Sequence, residues 1–414
     1  MSSSNLVQLV GVPETVYGKT PTLDATTPCR TIRFTSESLS GTPQTTESAE
    51  SRTDRMSGGQ VVTGLDSGGD INIELSRDPV YDAFILMAMM APDWTVEVSV
   101  GGPFTQAKDP ANDQLATITG TFDTADWGNS GKALLPGDML VFAGFTDPAN
   151  NGPRQVTRVI DPTSFEVVTP RAATDETSDA AAGVSLPRYV DIGSTQTSIT
   201  LSKAYTDVTH DVADDVHSQR YTGALINGMS FDLTYGQIVT GSFSFVANGY
   251  EQESPSLAQK LVTAGGTVAP AGTAQPLNAS VDMPLVTVGG QPTDFCIESL
   301  TLTLDNGLSP QNCLGKIAPT KYSLGTASIN ISASIYLGDP SYDKFMPGKL
   351  TQEPVSMLFA AVNADGGYAF DLRAVQLSFP DPASGGKDQQ VMIDAEGVAK
   401  VGPNGASALR IYRW

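Results

Sequence analysis

The side chains that carry nucleophilic, redox or metal chemistry are few in this chain and poorly spaced for it. His210 and His217 are the only histidines, and seven residues apart in an acidic segment they do not bring two imidazoles onto one ion; a surface pair is expected. Cys29, Cys296 and Cys313 are odd in number and far apart, which reads as reduced, packed thiols rather than a disulfide framework or a zinc knuckle. No serine sits in a Gly-x-Ser-x-Gly elbow, no cysteine–histidine pair has a motif around it, and neither a phosphate loop nor GxGxxG occurs. The aspartate-rich stretches 66–70 and 123–126 lack the EF-hand spacing and its closing bidentate glutamate, so ordinary turns are expected. Carboxylate pairs of the glycosidase kind are unavoidable among 45 Asp+Glu and discriminate nothing. No catalytic residue, metal ligand or cofactor-binding residue is therefore assigned, and no cofactor is expected.

Composition points to structure rather than chemistry. The chain has 414 residues, enough for two to three domains, each with its own core. Its hydrophobic fraction of 40% excludes a disordered acidic tail, while only 17% is charged, with Ser, Thr, Asn and Gln in place of the rest. A net charge of −21 without any basic run argues against binding nucleic acid by neutralising phosphates. It suits a surface along which DNA slides, and equally an ordinary acidic protein. The longest apolar run, residues 83–91, falls far short of the ~20 that a membrane helix needs, and the start carries no basic-then-apolar leader. A soluble protein made in the cytosol, with no membrane partner, is expected.

The elements that such a chain builds are mostly strands. Ile71, Ile73 and Leu75 alternate with polar neighbours, as do Leu300, Leu302 and Leu304, then Ile329, Ile331, Ala333 and Ile335, then Val375, Leu377 and Phe379. Period two puts one face on a core and leaves the other polar. Those polar faces hold hydroxyls and amides and few lysines, the usual guards of an open edge, so edges covered in an assembly are expected.

An internal repeat organises these strands. Asp78-Pro79-Val80-Tyr81-Asp82-Ala83-Phe84 matches Asp339-Pro340-Ser341-Tyr342-Asp343-Lys344-Phe345 at five of seven positions, and each copy follows a strand with Ile-Asn-Ile. Asp78 can cap a helix and Pro79 suits its first turn. A helix over residues 79–90 follows, apolar nearly all round and hence buried, with Tyr81, Phe84, Ile85 and Ala88 on one face. In the second copy Tyr342, Phe345 and Met346 begin the same face before Pro347-Gly348 cuts it short. Tyr81/Phe84 and Tyr342/Phe345 read as core packing rather than a sugar platform. Residues 39–44 and 306–311 match weakly ahead of the motifs, and hairpins at 231–247 and 375–398 follow them, which reads as two copies of one β-rich domain.

The copies differ because something is inserted in the first. Short strands and Asn-Gly and Asp-Pro turns between 95 and 189 read as a small β-barrel, with 174–183 as its exit linker; residues 263–274 read as a second linker, between the copies. The polar stretch 41–64 reads as a long loop that becomes ordered only against a partner.

Together these features resemble the major tail tube proteins of long-tailed, siphovirus-like bacteriophages, of the two-domain type. The resemblance rests on an N-terminal arm (Glu14-Thr15-Val16-Tyr17-Gly18-Lys19-Thr20-Pro21), the strand 31–38 leading into a polar loop, the strand–helix motif 69–90 and the hairpin 230–249. The insert, with Pro136-Gly137-Asp138 and Asn150-Asn151-Gly152, looks like the decoration domains such proteins often carry. The resemblance implies a mainly β fold of two tandem tail-tube-type β-sandwich or barrel domains, each with a flanking helix, plus the small inserted β-barrel. The expected boundaries are an arm at 1–28, a first domain at 29–94 and 190–260, the insert at 95–189, a linker at 261–290 and a second domain at 291–414.

It further implies a virion protein, made in the host cytoplasm, whose rings stack into the tube that conducts DNA from capsid to host. Single-domain members form rings of six; a duplicated domain implies three chains per pseudo-hexameric ring. Expected partners are other copies, the tape-measure protein and DNA in the lumen without tight binding, and the terminator and baseplate proteins at the ends. Thr45, Glu47, Glu50, Arg52, Asp54 and Arg55 are the expected inter-ring residues. Three readings compete with this one. A terminator or baseplate-type tail part would share the fold. A glycan- or receptor-binding β-sandwich is disfavoured by the missing leader and 7% aromatic content. A β-rich hydrolase would need a convergent acid/base site.

Overall fold

Alternation dictates strands, and their pairing in the computed structural model makes the same pattern twice. The structure describes residues 4–50, 53, 59–209, 215–293, 295–346, 349–382, 386, 387 and 389–414, with the backbone alone at 178, 179, 344 and 404. His210, Arg52, Asp54, Arg55 and the Pro347-Gly348 stop lie outside the described residues.

In the first half Cys29–Ile32, Val7–Pro13, Ile199–Thr209, the start of Val216–Thr234 and Gly249–Glu253 lie side by side, all antiparallel, as an outer sheet. Val216–Thr234 is long enough to leave that sheet. Beyond Ala224 it pairs with Thr240–Val246, which pairs with Gln60–Glu74, which pairs with Ser36–Glu37 and Ser40–Glu47. In the second half Gln291–Pro292, Leu285–Val288, Val355–Asn363, the start of Gly366–Ser378 and Arg410–Arg413 form the corresponding outer sheet. Gly366–Ser378 then continues beside Met392–Ala399, followed by Ser328–Tyr336 and Ile297–Asp305. The correspondence reaches single residues. Gly241 faces Phe231 and Ile73, and Gly397 faces Leu377 and Ile331. A Cβ on Gly241 would fall 2.9 Å from the Phe231 ring, and one on Gly397 2.6 Å from Val375, so both strands need glycine where large side chains crowd in.

The two inner sheets are one. Val216–Thr234 pairs with Ile297–Asp305 from Gly228↔Asp305 to Thr234↔Ser299, so a single sheet runs through both halves. One core lies against it, holding Ile71, Ile73, Phe231, Phe243, Leu302 and Ile331 among others.

Helix α1 spans Pro79–Ala88, and Asp78 Oδ1 accepts from the Val80 N–H at 2.9 Å. It ends two residues short of the expected 90 because Met90 turns left-handed at φ 50°, which reverses the chain before Pro92. Its Phe84 ring meets Phe243 and Phe245 edge-on, each at 5.3 Å. Helix α2, Leu257–Thr263, was not expected; Ser256 and Gln259 form a reciprocal capping box, and Leu257 and Leu261 cover Val10, Val12 and Cys29. Helix α3 spans Asp339–Phe345 and buries Phe345 against Phe295. Tyr342, expected in the core, is 55% exposed.

Other expectations need correcting. Residues 41–64 are not a loop: Ser40–Glu47 pairs with residues 60–68 as a hairpin. Most of it is exposed on both faces, so it lacks the alternation that marks a half-buried strand. The presumed exit linker 174–183 carries Glu176–Asp179, which pairs with Phe104–Lys108, and the presumed linker 261–290 carries Leu285–Val288. Only Cys29 is a packed thiol, pushed up to about 11 by burial; Cys296 and Cys313 are exposed.

The insert is an eight-stranded antiparallel sheet around Phe104, Trp127, Phe142 and Phe165. Arg154, wholly buried there, donates to Gln106 Oε1 at 2.6 Å and to the Asn150 carbonyl, and burial lowers its guanidinium to about 9. The insert's core does not end at its own strands: Leu285, Leu358, Ala360, Ala369 and Tyr412 of the second half complete it. Asp138 of the insert accepts from Arg373 at 2.8 Å and from Arg410 at 3.1 Å.

Beside these, Asp371 is wholly buried, and burial pushes its carboxyl up to about 6 against the opposing pull of Arg373 and Arg410. The folded chain thus holds this proton more tightly than the unfolded one. The stability so gained is complete below the ordinary carboxylate pKa of 3.8 and is lost as pH rises through about 6. Asp371→Asn should therefore gain in Tm relative to the parent between pH 5 and pH 7. A Tm difference independent of pH would contradict this.

Candidate functional site: the polar face of the shared sheet

Opposite the core, the shared sheet presents a face of hydroxyls, amides and carboxylates. One row crosses it strand by strand: Ser36, Asn72, Ser242, Ser230, Thr303, Asn330, Val398 and Gln376 stand side by side. The next row is Glu74, Thr240, Asp232, Thr301, Ser332, Glu396 and Ser378. These side chains are exposed or half-buried, while their neighbours Ile73, Phe231, Leu302, Ile331 and Leu377 are buried. The face therefore follows directly from period-two alternation.

Its charge is mostly negative. Asp70, Glu74, Asp232, Asp305, Asp394 and Glu396 lie on it, and the two rows above hold no lysine or arginine; the exposed Lys400 follows just past the end of the Met392–Ala399 strand. Hydroxyls fix two of the carboxylates: Thr301 donates to Asp232 at 2.7 Å and Ser334 to Asp394 at 2.6 Å. Two shallow hollows of about 370 and 430 Å³ lie on this face, lined by Ser332, Ser334, Asp394 and Glu396 and by Thr301, Thr303, Asn330 and Gln376. They bring together acids and hydroxyls but no base or cation, so the surface repels a polyanion and offers no group to grip one.

The sheet is open at both ends. Among the described residues no strand pairs with the outer side of Ser36–Glu37 and Ser40–Glu47, nor with residues 376–378 on the side away from Met392–Ala399. At the first edge the hairpin runs on past the sheet. At ~3.3 Å per residue, residues 60–67 reach about 26 Å. Thr45, Glu47 and Glu50 are exposed toward its far end, with the Thr45 hydroxyl donating to Gln60 Oε1 at 3.3 Å and the Glu50 N–H to Ser48 Oγ at 3.4 Å.

The repeat motif holds the halves together at a residue the motif itself concealed. Asp78, Pro79, Tyr81 and Phe84 place Asp82 on the side of α1 that meets the second half's outer sheet. Asp82 accepts from the Tyr368 hydroxyl at 2.7 Å, from Arg413 at 2.6 Å and from Arg77. Arg413 also lies over the Trp94 ring at 4.5 Å. Burial and the Asp82 charge push the Tyr368 phenol well up, so it remains a donor. A carboxylate inside an otherwise apolar helix was the available signal. Asp339, Pro340, Tyr342 and Phe345 form the matching turn of α3, far from this cluster in sequence and not part of it.

A sheet that continues from one half into the next, has unpaired edges among the described residues and carries an acidic polar face with no catalytic grouping fits a structural protein. Over residues 4–399 the chain matches the family model for phage tail tube protein, and it belongs to that family. It is thus a structural component of the phage tail, assembling with itself into the tube, and not an enzyme. No curated protein matches it. Among the described residues no helix is long and apolar enough to cross a membrane.

Proposed function

We infer that the two halves are copies of one tail-tube domain, that three chains close a pseudo-hexameric ring, and that stacked rings conduct DNA through a lumen lined by the polar face. One observation carries this: the junction between residues 228–234 and 299–305 already joins one half to the other inside the chain. Leu377 stands to Gly397 as Phe231 does to Gly241, so residues 375–379 present the same edge that residues 229–233 use. Repeating that junction between chains brings the 375–379 edge of one copy to the 32–38 edge of the next. Three repetitions supply six domains and leave no edge open, which is how a closed barrel avoids stray pairing. The contact is head-to-tail and closes by rotation.

In such a ring the carboxylates of three chains face inward. DNA and the tape-measure protein pass without tight binding, and a terminator and a baseplate protein cap the ends of a long, siphovirus-like tail. The insert docks on the second half rather than standing free as a decoration. The test is negative-stain microscopy over a concentration series, with mass photometry of the smallest ring. Tubes built on three-chain rings are expected. Rings of six chains overturn the trimer, and a protein that stays monomeric and fails to extend purified tail tips overturns the tube reading.

The hairpin extends along the strand direction, out of the ring, and Thr45, Glu47 and Glu50 toward its far end are the inter-ring contact; Arg52, Asp54 and Arg55, proposed to share it, lie outside the described residues. An Asn-Gly turn in place of residues 45–63 should leave rings of unchanged mass that no longer stack. Tubes of ordinary length from that variant would count against the assignment.

A further inference from the structure

We propose that the Tyr342–Asp343 face of α3 is a docking surface for a second copy of this chain, taken up by the outer sheet of that copy's first half. The inference rests on the ring reading above and names a second contact within it, apart from the strand edges.

The molecule contains its own control. α1 and α3 share five of seven motif residues, yet Tyr81 is 1% and Asp82 6% exposed, whereas Tyr342 is 55% exposed and Asp343 is exposed as well. The sequence of the motif does not set this difference; what lies over it does. Over Asp82 lies the second half's outer sheet, with Tyr368 and Arg413 on the carboxylate, while Tyr81 is buried beside the first half's own chain, its hydroxyl donating to the Arg33 carbonyl at 3.1 Å. Among the described residues no sheet stands over α3 in this way, and Tyr342 and Asp343 are left exposed. Beside it a cleft of about 670 Å³ opens toward the insert, lined by Asp339, Pro340, Asp343, Phe295, Asn112 and Gln114.

The matching cover exists at the other end of the molecule. Tyr250 pairs with Tyr221 in the first half's outer sheet as Arg413 pairs with Tyr368 in the second. Tyr221 is buried, but one step along the same face the sheet opens. Tyr205 and Gln219 are half-buried, Gln252 is exposed, and a hollow of about 380 Å³ lies among them. Tyr250 accepts from Gln252 Nε2 at 3.2 Å and keeps its own proton to donate. Asp343 of one copy then meets hydroxyl and amide donors of the next where Asp82 meets a phenol and guanidinium groups. Tyr342 enters the hollow. A second copy is the fitting occupant because the strand-edge junction already brings one copy's second half against the next copy's first half.

Cross-linking tests this on the full chain with the exposed Cys296 and Cys313 replaced by serine. Asp343→Cys together with Gln252→Cys, treated with a short bismaleimide during assembly, should give a ladder of covalently joined chains; either cysteine alone should not. Tyr342→Arg should raise the concentration at which tubes appear by about tenfold or more, with the Tm of the monomer unchanged because the side chain is exposed. Tubes that form normally from Tyr342→Arg, or a double-cysteine protein that assembles without a ladder, would overturn the docking surface and leave the tube reading standing. A parent protein that never assembles would remove both.

Discussion

Asp82→Ala should cost about 3–5 kcal/mol of stability, the range seen when one partner is removed from a buried charge cluster. Three donors lose one acceptor at once: the Tyr368 hydroxyl, Arg413 and Arg77. The Asp82 side chain is 9% and Arg413 14% exposed, so water does not readily replace the carboxylate. What remains is a pair of half-buried cations and a buried phenol that have lost their shared acceptor. Because Asp82 stands on the first half and two of its donors on the second, the loss falls on the contact between halves. Urea unfolding followed by tryptophan fluorescence should report it, since Trp94 donates its indole N–H to the Asp82 carbonyl at 3.3 Å and lies under Arg413. Asp82→Asn, which keeps the shape and one acceptor, should lose less. A midpoint for Asp82→Ala within error of the parent would show that the cluster does not hold the halves together.

Asp394→Lys with Glu396→Lys should turn tubes that ignore DNA into tubes that retain it. Both side chains are exposed on the polar face, on alternate residues of the Met392–Ala399 strand, so the exchange leaves the core untouched. Among the described residues the side-chain hydrogen bond lost is that from Ser334 to Asp394. Each lysine that neutralises a phosphate contributes a slope of about −0.9 in log K against log salt, so retention should be strong in dilute buffer and fade steeply as salt rises. Tubes of the variant mixed with short duplex DNA and pelleted across a salt series provide the measurement, and phage carrying the variant should deliver DNA more slowly. Variant tubes that bind no DNA at low salt would mean that this face does not line the channel.

Much of this fold was legible along the chain, because its signals are local. Alternation at Ile71–Ile73, Leu300–Leu304 and Ile329–Ile335 marks strands wherever one face is buried, and Asp78-Pro79 marks a helix start by chemistry that needs no distant partner. The recurrence of that heptapeptide after Ile-Asn-Ile marks a repeat in the sequence without reference to strand pairing. The capping box Ser256–Gln259 is equally local, but the helix it opens has only 7 residues, too few for a helical period to show.

What remained hidden depends on segments far apart in sequence. Residues 41–64 look like a loop because a hairpin exposed on both faces has no apolar period to show. Tyr342 looks like a core residue because its type matches Tyr81, whereas burial depends on which distant segments the fold brings over it. The insert reads as a separate barrel because its own turns and strands are complete, yet Leu358, Ala360 and Tyr412 finish its core from some two hundred residues away. The sequence by itself determined the half-buried strands, the polar face and its prevailing charge, since alternation assigns each side chain to a side once the strand exists. Tertiary structure alone decided that the two inner sheets fuse at residues 228–234 and 299–305, that Asp82 ties the halves together, and that one copy of the motif is covered while the other is not. The reason is physical: a ladder of hydrogen bonds or a buried charge cluster is a property of two segments meeting, and no local pattern records the partner.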